Sequence, residues 1–179
     1  MKKLLVVVDM QNDFIDGSLG TKEAVAIVPN VVKKIKEWDG DIITTQDTHL
    51  DNYLATREGK YLPVQHCICG THGHKINGKV NEVILSSGHH IMNITKSSFG
   101  SKVLPYCIFN EIFKNGTEYD YIEIIGLCTD ICVISNALLL KAHYPEIDIA
   151  VDSRCCAGVT PESHNAALLT MKMCQIDIK

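Results

Sequence analysis

No stretch of this 179-residue chain stays apolar for the length of a membrane span, which argues against a helical transmembrane protein. There is no basic stripe, and the net charge is −4, so nucleic acid and anionic membrane surfaces are not expected partners. There is no Cys-x-x-Cys pair. The close thiol spacings are Cys67–Cys69, Cys128–Cys132 and Cys155–Cys156, which give little support to a thiolate zinc site. Eight cysteines fall short of the density of a small disulfide scaffold. No repeat, low-complexity segment or linker interrupts the chain, so residues 1–179 are expected to form a single domain. The opening MKKLLVVVDMQND imitates a signal peptide. Its apolar run, Leu4 to Val8, ends at Asp9 and is too short for one, so a cytoplasmic protein is expected.

What is present is alternation. KLLVVVD (3–9) is a continuous β-branched run, as in a strand buried on both faces. Residues 22–37 follow with Val25, Val28, Val32 and Ile35 at helical spacing. Strands are expected at 41–46, 89–95, 119–126 and 147–152, with a polar loop over about 47–80. Helices are expected at 130–144, capped by Thr129 or Asp130, and at 160–173, opened by Thr160 and Pro161. This order implies an α/β fold: a mostly parallel central sheet with helices on both faces, three layers in all.

Chemistry in such sheets gathers beyond the carboxyl ends of the strands. The residues there are Asp9, Asp47, Lys96, and the pair Cys128 and Cys132. A helix N-terminus and a nearby lysine both favour thiolate, and an aspartate can take a thiol proton. Spacing slightly favours Cys132 over Cys128 as a nucleophile. It leaves open that both are small core residues. Asp47, His49, Glu58 and His66 fall in the following loop. Two imidazoles and two carboxylates suit Zn, Fe or Mn, although a polar surface loop would carry such residues as well. His72 and His74 read as a solvated turn, and His89 and His90 as structural or surface residues. His143 and His164 lie in helical segments, read as far from the strand ends.

VVVDMQNDF (6–14), TKSSFG (95–100) and GLCTDICV (126–133) together resemble the isochorismatase-like cysteine hydrolases, and within them the nicotinamidase branch. LPVQHCICGT (62–71) and SRCCAGVTPESHNAAL (153–168) are similar to further stretches of that family. The resemblance implies the isochorismatase-like hydrolase fold, with Asp9 as general base, Lys96 as its charged partner and Cys132 as nucleophile. It implies a cis Leu127–Cys128 peptide, with the backbone N–H groups of Cys128 and Cys132 as an oxyanion hole. It makes Asp47, His49 and His66 ligands of one divalent transition metal ion that holds a pyridine nitrogen. Glu58 falls where some members use a carboxylate and others a histidine. Phe14 and Leu62 would contact substrate, Leu62 standing where an aromatic is usual; Tyr53 and Tyr106 are possible replacements for it. The implied activity is hydrolysis of nicotinamide, or else of another small amide, N-carbamoyl or ureido compound, by a homo-oligomer. A redox sensor using Cys128 and Cys132, or an inactive binding protein, is the reading from another class.

Overall fold

The computed structural model describes residues 1–116 and 118–179, built on a six-stranded sheet. The strands are β1 (Lys3–Val8), β2 (Asp41–Asp47), β3 (His90–Lys96), β4 (Tyr121–Leu127), β5 (Asp148–Ala157) and β6 (Asp177–Ile178). Their spatial order is β3-β2-β1-β4-β5-β6, with every neighbouring pair parallel. The helices are α1 (Asn12–Ile15), α2 (Lys22–Glu37), α3 (Arg57–Tyr61), α4 (Gly78–Ser87), α5 (Leu104–Asn115), α6 (Ile134–His143) and α7 (Pro161–Met173).

β1 shows why its run is unbroken. Leu4, Val6 and Val8 join one core with Leu104 and Ile108 of α5, Ala137 and Leu140 of α6, and Met171 of α7. Leu5 and Val7 join a second core with Ile27, Val31 and Ile35 of α2 and Val80 and Val83 of α4. Alternate side chains therefore feed opposite layers, and both faces must be apolar. This is the expected three-layer architecture. Among the described residues no helix is long and apolar enough to cross a membrane.

Several boundaries and faces differ from expectation. In α2 the buried stripe is Ala24, Ile27, Val28, Val31 and Ile35, whereas Val25 is exposed. Two apolar stripes compete on that helix. Val25 and Val32 instead line a groove facing α4. The expected loop over 47–80 contains a 3-10 turn at Tyr53–Ala55 and the short α3, and α4 begins at Gly78. α1, α5 and β6 were not anticipated. β5 runs on through polar Asp152, Ser153 and Arg154 to Ala157, past a register shift opposite Ile124 and Gly126. The Thr160 cap is as expected: its side chain accepts the Ser163 N–H in a capping box.

The segment after β4 departs most. A π turn spans Thr129–Val133, and α6 starts only at Ile134. Cys132 therefore sits in that turn, not in the first turn of a capped helix. Neither Thr129 nor Asp130 caps. Asp130 accepts the backbone N–H of Val159 at 3.1 Å, and Thr129 pairs with His164. Long-range partners have taken both polar side chains.

Candidate active site

Asp9 follows β1 in the left-handed region at φ +48°, a conformation Asp tolerates better than most residues. Val8, the residue before it, pairs across the sheet with Gly126, at φ +122°, where a Cβ would lie 2.0 Å from the Val8 carbonyl oxygen. Only glycine lets β4 approach β1 this closely at the point where the chain delivers Asp9.

Four of the residues expected at the sheet edge, Asp9, Asp47, Lys96 and Cys132, meet there. Lys96 Nζ lies 2.6 Å from Asp9 Oδ2, 3.5 Å from Asp47 Oδ1 and 3.6 Å from Cys132 Sγ. All three of Asp9, Lys96 and Cys132 are buried, and Thr45 Oγ1 donates to Asp9 Oδ1 at 2.7 Å. Burial pushes the Asp9 carboxyl up, and Lys96 opposes this without cancelling it. Burial works against the Lys96 charge, but Asp9, Cys132 and Asp47 together raise it above its ordinary value. Burial also drives the Cys132 thiol well up, aided by the Asp9 carboxyl nearby; Lys96 pulls the other way. The resting arrangement is therefore a thiol that has kept its proton beside its acceptor, with an ammonium next to both. The Leu127–Cys128 peptide is cis. Burial pushes the Cys128 thiol up to about 12 as well, so what sets Cys132 apart is the Lys96 ammonium 3.6 Å from its sulfur.

A second cluster lies beside the first. Asp47, His49, Glu58 and His66 each present a ligand atom, all within 4.8 Å of one another. His49 Nε2 is 2.9 Å from Asp47 Oδ2 and 3.7 Å from Glu58 Oε1. His66 Nε2 is 3.6 Å from Asp47 Oδ2 and 3.7 Å from Glu58 Oε1. His66 Nδ1 lies 2.8 Å from the Val64 carbonyl, which can only accept, so Nδ1 carries a proton and Nε2 is the nitrogen turned toward Asp47 and Glu58. Burial opposes the Asp47 charge, but hydrogen bonds from His49 and His66, with Lys96 nearby, hold its carboxyl well below the usual range. A mixed imidazole–carboxylate set, half of it acidic and nearly dry, fits a divalent transition metal ion. His72 and His74 lie outside this group. Gln11 clamps the Asp47 backbone at both ends, its Nε2 donating to the carbonyl at 2.8 Å and its Oε1 accepting the N–H at 2.7 Å.

The two clusters open onto one cavity of about 200 Å³. Cys128 and Cys132 line it together with Asp47, Glu58 and His66, and Phe14, Leu19, Leu62, Phe99, Ile131 and Val159 complete its apolar wall. Among the described lining residues there is no Lys or Arg. Phe14 and Leu62 are thus both at the cavity. Tyr53 is not: it is wholly buried, with its ring 4.7 Å from that of His49 and 4.9 Å from that of His66. It braces the two imidazoles. Tyr106 is exposed beside His143 and takes no part.

His164 corrects the expectation that it lies far from the strand ends. Its Nδ1 is 2.8 Å from Thr129 Oγ1, inside the π turn, and it packs on Gly158 at the cavity rim. The helix it belongs to runs back under the sheet edge, and periodicity alone cannot show that. Phe99, Ile131 and Val159 were also missed as cavity walls. Phe99 had a signal, standing three residues beyond Lys96 in TKSSFG.

A doubly wound parallel sheet that delivers a thiol, a buried carboxyl group and an ammonium to its carboxyl edge has the parts that a cysteine hydrolase needs. The chain belongs to the isochorismatase family: the sequence family described as "Isochorismatase domain" matches residues 3–178. It is 28% identical to an isochorismatase-family protein PncA of Bacillus subtilis (strain 168), covering 94% of this chain and 93% of the relative. It is 23% identical to the nicotinamidase/pyrazinamidase of Mycobacterium tuberculosis, over 98% of this chain and 97% of that protein. Among solved structures, the pyrazinamidase of Pyrococcus horikoshii in complex with zinc superposes with a TM-score of 0.74 at 26% identity, covering 100% of this chain and 99% of that one.

Proposed function

We propose that the protein is a cysteine-dependent nicotinamidase, converting nicotinamide and water to nicotinate and ammonia. The observation that carries this is that Cys132, backed by Asp9 and Lys96, and the Asp47/His49/Glu58/His66 group meet at one small cavity whose described lining has no Lys or Arg. A flat, neutral heteroaromatic amide can offer a carboxamide to the first and a ring nitrogen to the second. The relatives named as nicotinamidases and pyrazinamidases support the same reading. An N-carbamoyl amino acid carries a carboxylate, and the described lining of the cavity offers no Lys or Arg to pair with it.

In this scheme Asp9 accepts the proton of Cys132, and the sulfur attacks the amide carbon. The oxyanion rests on the backbone N–H groups of Cys128 and Cys132. Asp9 returns the proton to the departing nitrogen, so ammonia leaves and a thioester remains. Asp9 then deprotonates water, which attacks the thioester, and the released thiolate recovers its proton. Lys96 balances the single negative charge that passes between Asp9 and Cys132, pairing with the carboxylate before the proton moves and with the thiolate after it. Asp47, His49, Glu58 and His66 would hold a transition metal ion, zinc by analogy with the Pyrococcus relative, which when bound supplies a Lewis-acidic contact for the ring nitrogen. Phe14 and Leu62 pack against the ring. Leu62 gives dispersion contact without the stacking of about 0.5–1.5 kcal/mol that an aromatic would add.

The test is ammonia release from nicotinamide by wild type and Cys132→Ala in parallel. Release by the wild type alone supports the scheme. Activity in Cys132→Ala removes the nucleophile assignment, and inactivity of the wild type with metal supplied removes the substrate.

A further inference from the structure

Asn136 lies on α6 one turn beyond Cys132, with none of its surface exposed. Asparagine is a poor residue for a helix interior, and a buried amide is costly unless it is hydrogen-bonded. Here both ends are used. Oδ1 accepts the backbone N–H of Ser101 at 2.8 Å. Nδ2 donates to the carbonyl of Cys132 at 2.8 Å and, more weakly, to that of Phe99 at 3.3 Å.

These partners belong to two separate segments. One is the π turn that carries Cys132. The other is the loop that leaves β3 at Lys96 and passes through Phe99, a wall of the cavity, to Ser101. The loop is also pressed on α6, since a Cβ at Gly100 would sit 2.6 Å from Leu139 Cδ1. The separation of 3.6 Å between Lys96 Nζ and Cys132 Sγ is a distance between these same two segments. Apart from Asn136, no side-chain amide joins them among the described hydrogen bonds.

We propose that Asn136 is a positioning residue that holds the turn carrying Cys132 in register with the loop carrying Lys96 and Phe99. It touches neither substrate nor the reacting atoms and acts through the backbone of Cys132. The proposal rests on Cys132 being the nucleophile. Misplacing a reacting group by an ångström can cost about 100-fold in rate, so a residue that fixes backbone register acts on kcat more than on binding.

The experiment compares Asn136→Leu and Asn136→Thr with the wild type, metal-loaded and full-length, measuring kcat and KM for nicotinamide and the thermal midpoint. Leucine keeps the volume and loses every hydrogen bond. Threonine can still donate to the carbonyl four residues back, here that of Cys132, but cannot reach Ser101. The expected result is a kcat lower by about tenfold or more in Asn136→Leu with KM within about threefold, and an intermediate kcat in Asn136→Thr. Wild-type kcat in either folded variant, whatever its thermal midpoint, overturns the proposal and leaves Asn136 a structural residue. If Asn136→Leu does not fold, the threonine variant decides alone: a lower kcat at unchanged KM supports the proposal, and wild-type kcat overturns it. Cys132→Ala run alongside separates the two claims. Its inactivity with unaffected Asn136 variants refutes this inference only, whereas its activity refutes the nucleophile and this inference together.

Discussion

Lys96→Met tests the charge balance of the site directly. Methionine keeps most of the unbranched stem and deletes only the ammonium. That ammonium is 2% exposed and sits 2.6 Å from an Asp9 carboxylate that is 0% exposed. At that separation, with an effective dielectric near 20, the gross attraction is about 6 kcal/mol. Desolvation offsets part of it, and removing one partner of a buried pair costs about 3–5 kcal/mol. A domain with about 5–15 kcal/mol of stability survives this, with a much lower urea midpoint. The remaining groups, Asp9, Asp47 and Cys132, are acids that cannot all ionise together. Asp9 answers by holding its proton and can no longer take one from the thiol. The acid limb of kcat/KM should then move up by about 1–3 pH units, because losing a neighbouring cation raises a carboxyl pKa. Ammonia release across pH, with urea titration at pH 7, reads both effects. Lys96→Arg should recover much of the stability and the position of the limb, but not kcat, because the planar guanidinium cannot occupy the point where Nζ meets both Asp9 and Cys132. A Lys96→Met enzyme with a wild-type pH profile and urea midpoint would refute the reasoning outright.

Chelation should strip a transition metal from the purified protein and raise KM more than it lowers kcat, with recovery on adding zinc or manganese. His66→Ala should lose the metal, and full metal content by elemental analysis in that variant would count against the ligand set. Lys34 and Arg154 hold the Asp152 carboxyl down to about 2, against about 3.9 in an unfolded chain. A depressed acid contributes stability that is present above the unfolded value and lost as pH falls through the folded one. The urea midpoint should therefore drop between about pH 4 and pH 2, and Asp152→Asn should be less stable at pH 7 with a flatter profile in that window. Gly126→Ala forces a Cβ to 2.0 Å from the Val8 oxygen at φ +122° and should cost more than about 2 kcal/mol, measured by urea titration.

The sheet was legible where burial on both faces leaves a continuous apolar run, as in Leu4 to Val8. It was legible again where a strand ends on a chemical residue, as at Asp47 and Lys96. α5 was not. Its outward face carries the exposed aromatics Tyr106, Phe109 and Phe113 among its polar residues, which blurs the boundary between buried and solvent sides of LPYCIFNEIFKN. The metal group was within reach because Asp-x-His fixes two ligands at a strand end. The roles of Tyr53, His164 and Asn136 were not, because each is set by a partner brought near by folding. Asn136 looked like a weak helix residue, and Thr129 and Asp130 looked like caps. In each case the sequence shows the polar group and folding supplies its partner.

The order β3-β2-β1-β4-β5-β6 puts β3 at a margin, with a strand neighbour on one side only. Asp9 and Cys132 follow β1 and β4, the innermost strands, but Lys96 ends the marginal one. The site thus straddles a gradient of local stability. Amides of β1 and β4 should exchange with solvent only through global opening, whereas the β2–β3 ladder can open alone. Heat or mild denaturant would then silence the enzyme through one peeling strand while the rest of the sheet stays intact.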